Sequence, residues 1–296
     1  MLREFSLQGR MVERVDAAGR PLHPPPPVRE AATVLLLRDR PGGGVEVFTF
    51  RRVPRLAFAA GMLVFPGGSV DPADGDPALP WDAPVPPDTG AVRAAAVRET
   101  FEECGVLLAT PAPGSATSGA TSGATSRAPR AAPDADELSA PAWEERRTEL
   151  AAGGLTLAGV LTAAGLAAAG TALVPWARWV TPEFEHRRFD TWFFLARLPE
   201  GQQARDLGGE GEQAAWRDPA EAVEQHRAGE LPMLPPTLVC LEELAAGGSV
   251  DALLATPRTV RPVSPWVEPG DGGLVLRVDL DGRGGGEPGP AGAAAS

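Results

Sequence analysis

Lysine, asparagine, isoleucine and tyrosine are absent from this 296-residue chain, so all 27 of its basic residues are arginine. With Ala, Gly, Pro and Arg abundant, the skew reads as a GC-rich coding bias and says nothing about function. Two cysteines, Cys104 and Cys240, are too few for a disulfide framework, and a reduced cytoplasm is the expected compartment. Three histidines make a His-based metal centre or triad improbable. Positive charge is also short: a formal net charge of −12 excludes a general surface for nucleic acid or anionic membrane, which needs a basic footprint. Met1 to Pro21 has no apolar run of signal-peptide length. The Ala-rich stretch Leu155 to Val174 is broken by Gly and Thr and reads as soluble helix, not a membrane span.

What the chain does carry is concentrated in Arg98-Glu99-Thr100-Phe101-Glu102-Glu103-Cys104-Gly105-Val106. On a helix, at about 100° per residue, Glu99, Glu102 and Glu103 share one face, while Ala94, Val97, Phe101 and Cys104 form the buried stripe opposite. Ala95 and Ala96 lie beside the acids and leave room for a ligand. Like charges at these spacings repel by a few tenths of a kcal/mol per pair, so the face calls for a compensating cation. Arg98 supplies part of it and a metal the rest. Carboxylate oxygens are hard ligands that favour Mg²⁺ or Mn²⁺ over zinc. The plain alternative is a solvated acidic helix face. Upstream, Phe65-Pro66-Gly67-Gly68 forms a turn that brings backbone close to a ligand.

Together these residues resemble the Nudix box, in which Gly, five residues, Glu and seven residues precede Arg-Glu-apolar-x-Glu-Glu-x-Gly-apolar. Arg98 to Val106 matches the second half, with Thr100 in the first apolar place. The first half is stretched: Arg98 follows Gly68 by 30 positions where 14 are usual, an insertion of 16. Counting forward from Gly68 puts the first Glu of the box at Asp74; counting back from Arg98 puts it at Gly90. A split box, with Val70-Asp71-Pro72-Ala73-Asp74 and a Pro-rich loop, is similar to the branch typified by the peroxisomal coenzyme A diphosphatase. Trp179-Val180-Thr181-Pro182, Arg187-Arg188-Phe189-Asp190-Thr191, Phe193-Phe194 and Leu234-Pro235-Pro236-Thr237 resemble that branch in the same order. A coenzyme A signature is partly met by Thr49, Arg51 and Gly61 to Gly68, with Arg55 the nearest candidate for its displaced arginine.

The resemblance implies an α+β Nudix fold: a mixed β-sheet sandwiched between helices (α/β/α), with an inserted flexible loop and a helical C-terminal extension. The expected organisation is a mobile leader over 1–28, a single domain over 29–281 with a flexible insertion at 110–140, and a disordered tail over 282–296. Length and a 43% hydrophobic content are enough for one sizeable core. The patterns predict a buried strand at Thr33 to Leu37, its hairpin partner at Val45 to Arg51, and a helix from Asp88 or Thr89 to Gly105. Tandem Ser-Gly-Ala-Thr between Ala109 and Pro133 reads as a flexible loop. Further helices are expected within Trp143 to Gly170, at Pro219 to Ala228 and at Pro236 to Ala246. Strands are expected at Trp176 to Val180, Thr191 to Leu198 and Leu274 to Val278.

By the same resemblance, Glu99, Glu102 and Glu103 bind Mg²⁺ or Mn²⁺, one of them serving as base toward water, with the Gly68 carbonyl a further ligand. Arg98 orients these carboxylates. Arg51, Arg52 and Arg55 either clamp substrate phosphates or form a charged strand end, and Gly67 and Gly68 line the substrate. Glu210 is a weaker candidate for base or ligand. Phe189 or Trp192 either stacks on an adenine or packs in the core. The implied partner is a small nucleoside diphosphate derivative of the coenzyme A class, with no nucleic acid or membrane, and a homodimer left open. The implied activity is metal-dependent hydrolysis of a coenzyme A or acyl-coenzyme A diphosphate bond. The alternatives are ADP-ribose or a dinucleotide as substrate, or a Nudix-fold sensor without turnover.

Overall fold

The computed structural model describes residues 1–6, 9–51, 61–113, 132–207, 213–271 and 273–281. The chain divides into a larger unit, residues 30–176 and 192–258, and a smaller one, residues 1–29, 177–191 and 259–296.

The larger unit is built on a sheet. Strand Val45–Arg51 lies between Ala215–Arg217 and Val28–Asp39, and Arg188–Arg197 and Val174–Val180 follow in order. The first hairpin is antiparallel, with Leu37 opposite Val47 and Asp39 opposite Val45. Its turn uses Gly42, Gly43 and Gly44, all at positive φ, where side chains are strained. Val34 to Leu37 are each fully buried, as are Phe194, Leu195 and Ala196. Such runs lose the alternation of a half-solvated strand because both faces of the sheet are covered. That is why the successive residues Phe193 and Phe194 are both buried.

Seven helices are described in this unit: α1 (Gly90–Cys104), α2 (Ala135–Leu138), α3 (Pro141–Ala151), α4 (Leu157–Ala164), α5 (Pro219–Arg227), α6 (Pro235–Ala245) and α7 (Val250–Leu254). One face of the sheet presents Val34, Leu36, Phe48 and Phe50 to Ala94, Val97, Phe101 and Cys104 of α1, with Trp143, Leu150, Leu157 and Leu161 completing the core. On the other face, Val47 and Thr49 are fully buried, and α5 packs against their strand. The expected sheet between helices is therefore present. Burying a Leu or Phe of this core contributes about 1.5–3 kcal/mol each.

Three sequence expectations need correction here. Ala95 and Ala96 are fully buried in the core and leave no room for a ligand; their small side chains let α1 lie close against its neighbours. The expected flexible insertion at 110–140 carries strand Ala109–Pro111, which pairs with Leu166–Ala168, and helix α2, while its 114–131 portion lies outside the described residues. The Ala-rich stretch is one short helix, α4, opened by the Thr156 side chain and closed by Gly165 at φ +68, followed by a strand. Among the described residues no helix is long and apolar enough to cross a membrane.

The smaller unit holds the antiparallel strands Leu2–Ser6, Gly273–Asp279 and Trp266–Gly270, in that order across their sheet. Val15, Phe184 and Leu276 form its core, and Arg14 pairs with Glu185. Pro262–Val263 lies outside that sheet and pairs in parallel with Arg178 and Trp179. Residues 1–28, expected as a leader, thus contribute a strand and a core side chain; a five-residue strand whose partner is at the far end of the chain gives no local signal. The expected tail, 282–296, lies outside the described residues.

Candidate active site

Helix α1 forms where the pattern predicts it. It follows a 3₁₀ turn at Pro87–Thr89 and stops at Gly105, whose φ of +67 ends the helix in the left-handed conformation that favours glycine. Thr100, in an apolar place of the box, is fully buried and donates from Oγ1 to the Ala96 carbonyl at 2.7 Å. Its hydroxyl is satisfied within the helix, so the substitution leaves no unpaired polar group.

Arg98 is the centre of the site. Its Nε and Nη2 each donate to one oxygen of Asp74 at 2.9 Å, Nη2 also donates to the Ser69 carbonyl at 2.9 Å, and Nη1 donates to Glu99 at 2.8 Å and Glu102 at 3.4 Å. Burial works against its charge, yet Asp74, Glu99 and Glu102 outweigh that and raise its pKa. Arg98 therefore bridges Asp74, Glu99 and Glu102. Of the two places to which counting leads, Asp74 is the one that meets Arg98. Asp71-Pro72-Ala73-Asp74 forms a reciprocal cap, with Asp71 accepting from the Ala73 amide and Asp74 from the Asp71 amide at 2.8 Å. The inserted residues leave from beyond this cap, so the two halves of the box close on one another despite the longer spacing.

Strand Gly67–Ser69 brings backbone to the acids. It pairs with Ala31 to Thr33, and the Gly67 amide donates to Glu103 Oε2 at 2.9 Å. Gly67, at φ +152, leaves no space for a side chain: a Cβ there would stand 2.2 Å from the Ala32 carbonyl oxygen. At Gly68 a Cβ would stand 2.3 Å from Glu99 Oε1, so the missing side chain is the space that this carboxylate fills. Glu99, Glu102 and Glu103 thus gather against two glycines and one arginine.

The electrostatics follow. Glu102 is pushed up to about 7, first by burial and then by Glu99 and Asp74, against the opposing pull of Arg98. Carboxylates packed this closely suit a divalent cation, and the available donors are all oxygens. Among the described residues no three His, Cys, Asp or Glu side chains form a ready metal cage. Glu99, Glu102 and Glu103 supply carboxylate oxygens to this face, and Gly68 lies against the Glu99 carboxylate.

Other candidates are less gathered. Arg51 ends its strand opposite Leu63 and donates from Nε to the Gly61 carbonyl at 3.2 Å. Arg52, Arg55 and Glu210 lie outside the described residues. Trp192 stacks on Phe194, with ring centroids 6.1 Å apart, which favours its packing role. Cys104 and Cys240 are free and buried, and burial raises both thiol pKa values, so neither serves as a nucleophile. Sequence reasoning left Asp74 as one of two alternatives and missed its reciprocal cap with Asp71.

Residues 76–244, more than half of the chain, match a family model described as the NUDT19 Nudix domain. The chain is 30% identical to the acyl-coenzyme A diphosphatase NUDT19 of Gallus gallus, over 81% of this chain and 74% of that protein. It is 28% identical to the Homo sapiens protein of the same name, over 73% of this chain and 64% of the relative. Among solved structures, it resembles a NUDIX hydrolase from Alicyclobacillus acidocaldarius at 31% identity and a TM-score of 0.61, covering 78% of this chain and 96% of that one.

Proposed function

The chain belongs to the Nudix hydrolases, and from that premise we propose that it hydrolyses the diphosphate bond of coenzyme A or acyl-coenzyme A. The products are 4′-phosphopantetheine, free or acylated, and adenosine 3′,5′-bisphosphate. The observation that carries the reading is the convergence on Arg98 of Asp74, Ser69, Glu99 and Glu102, which unites the two halves of a split box. The names of the chicken and human relatives support the substrate class.

In this reading Glu99, Glu102, Glu103 and the Gly68 carbonyl hold Mg²⁺ or Mn²⁺. When bound, such a cation polarises the phosphoryl oxygens and neutralises charge that builds up at phosphorus. Arg98, already committed to Asp74, holds Glu99 and Glu102 in place and does not touch substrate. The Gly67 amide aims Glu103. One of the three glutamates accepts the proton of the attacking water. Arg51 and Arg55 meet the 3′-phosphate of the substrate, Arg51 from the end of its strand. The proposed compartment is the cytoplasm.

A panel of coenzyme A, acetyl-coenzyme A, dephospho-coenzyme A, ADP-ribose and a dinucleotide, each with Mg²⁺ and with Mn²⁺, tests the reading by product mass. The expected result is fastest turnover of the coenzyme A thioester or thiol, with the two products above. Faster hydrolysis of ADP-ribose than of either would overturn the substrate assignment.

A further inference from the structure

We propose that Arg147, on α3, is a positioning residue for the acidic face of α1, acting through the main chain of its last turn. The proposal rests on the reading of Glu99, Glu102 and Glu103 as the cation site.

A helix leaves its last four carbonyls without partners inside the helix proper. At the end of α1 each of these is taken. The Phe101 carbonyl accepts from the Gly105 amide at 2.9 Å, that of Glu103 from the Leu207 amide at 3.0 Å, and that of Cys104 from the Arg205 amide at 2.9 Å. The Glu102 carbonyl accepts from Arg147 Nη1 at 2.9 Å. This is the one carbonyl of the four held by a side chain. The side chain is cationic, the sign that a helix C-terminus favours.

Arg147 is itself held in place. Its Nε donates to Glu144 Oε2 at 2.9 Å, and Glu144 Oε1 accepts from Arg205 Nη2 at 2.7 Å. Those two arginines hold the Glu144 carboxyl below its usual range against the opposing effect of burial. Arg205 and Leu207 lie over Gly105, where a Cβ would stand 2.7 Å from Leu207 Cδ1 and 3.1 Å from Arg205 Nη2. Behind them Trp143 of α3 meets Phe101 of α1 edge to face, with centroids 5.9 Å apart. Gln202, buried, receives the Leu107 amide at 2.9 Å and returns a donor to the Leu107 carbonyl at 3.1 Å.

Glu102 is consequently fixed at both ends, its carboxylate by Arg98 and its carbonyl by Arg147. Glu103 is next in the same turn. Removing the Arg147 guanidinium leaves a carbonyl unpaired and lets the turn that carries two of the three acids shift. A displacement of about 1 Å at reacting groups can lower a rate about 100-fold, so a partial shift of one turn corresponds to about tenfold.

The test uses the full chain with Arg147→Met, Arg147→Lys and Glu103→Gln, read by Mn²⁺ titration calorimetry without substrate and by kcat and KM for coenzyme A. Arg147→Met should weaken Mn²⁺ binding and lower kcat by about tenfold each, with KM changed by less than about twofold. Arg147→Lys, which keeps a donor for the carbonyl, should recover most of both. If Arg147→Met does not fold, Glu144→Gln, which removes the charge that aims Arg147, should move both quantities the same way by a smaller factor. Wild-type Mn²⁺ affinity in folded Arg147→Met or Glu144→Gln, or a loss confined to KM, would overturn the proposal. Wild-type Mn²⁺ affinity in Glu103→Gln would instead bring down the reading of the site and this proposal with it. Loss in Glu103→Gln beside wild-type affinity in Arg147→Met would remove this proposal alone.

Discussion

Asp74 and Arg98 face each other as a two-pronged pair, Nε to Oδ1 and Nη2 to Oδ2, both 2.9 Å. Their side chains are only 1% and 12% exposed, so the contact is made away from bulk water. Planar guanidinium against planar carboxylate fixes orientation as well as distance, and orientation is what Glu99 and Glu102 inherit from Arg98. The aspartate is shorter than the glutamate that the box usually carries. Its reach is met by the 3₁₀ turn at Pro72–Gly75, which lifts it toward the helix.

Asp74→Asn should therefore lower both stability and activity. The neutral amide removes one charge from the pair and presents a donor toward Arg98, while Glu99 and Glu102 still partner the guanidinium. The expected loss is about 1–3 kcal/mol, read as a lower urea midpoint at unchanged slope. An unchanged midpoint with wild-type turnover would show that Asp74 does not anchor Arg98.

Gly67→Ala and Gly68→Ala should fail in different ways, although they are neighbours. At Gly67 the added Cβ meets backbone at 2.2 Å and the φ of +152 is strained for alanine, so stability should fall by about 2 kcal/mol or more. At Gly68 it meets the end of the Glu99 side chain, which can swing away. Thermal melts should show little change there, about 1 kcal/mol or less, while turnover falls because Glu99 is displaced. Equal thermal losses in the two variants would contradict the assignment of Gly68 as space for Glu99.

Arg51→Ala should narrow the preference for coenzyme A over dephospho-coenzyme A and leave ADP-ribose hydrolysis nearly unchanged. A charge-assisted contact to the 3′-phosphate contributes about 1.5–3 kcal/mol, or about one to two orders of magnitude in kcat/KM. If the wild-type enzyme handles coenzyme A and its dephospho form equally well, the contact is not made.

The acidic face of α1 was legible in the sequence because helical periodicity is local, and Gly105 marks the end where the structure places it. Asp74 was only half legible: counts from Gly68 and from Arg98 diverge across the insertion, and tertiary closure decides between them. Ala95 and Ala96 were misjudged because a helix wheel shows which side is polar and not how many sides are packed. The clamp of Glu144, Arg147 and Arg205 had no sequence signal, since its members lie on two segments that meet only in the fold. Likewise Leu2–Ser6 finds its partner at Gly273–Asp279, a pairing that no local pattern announces.

The central claim is that the acids gathered on α1 carry a cation-dependent diphosphate hydrolysis. Turnover of coenzyme A by Glu103→Gln at saturating Mg²⁺ or Mn²⁺, beside wild type and with matched thermal melts, tests it most directly. Glu103 is a partly exposed side chain held by the Gly67 amide, so its amide variant should fold normally. Loss of turnover is the predicted result, because a Lewis-acid contribution of several kcal/mol depends on that ligand charge. Wild-type turnover in a normally folded Glu103→Gln would contradict the account.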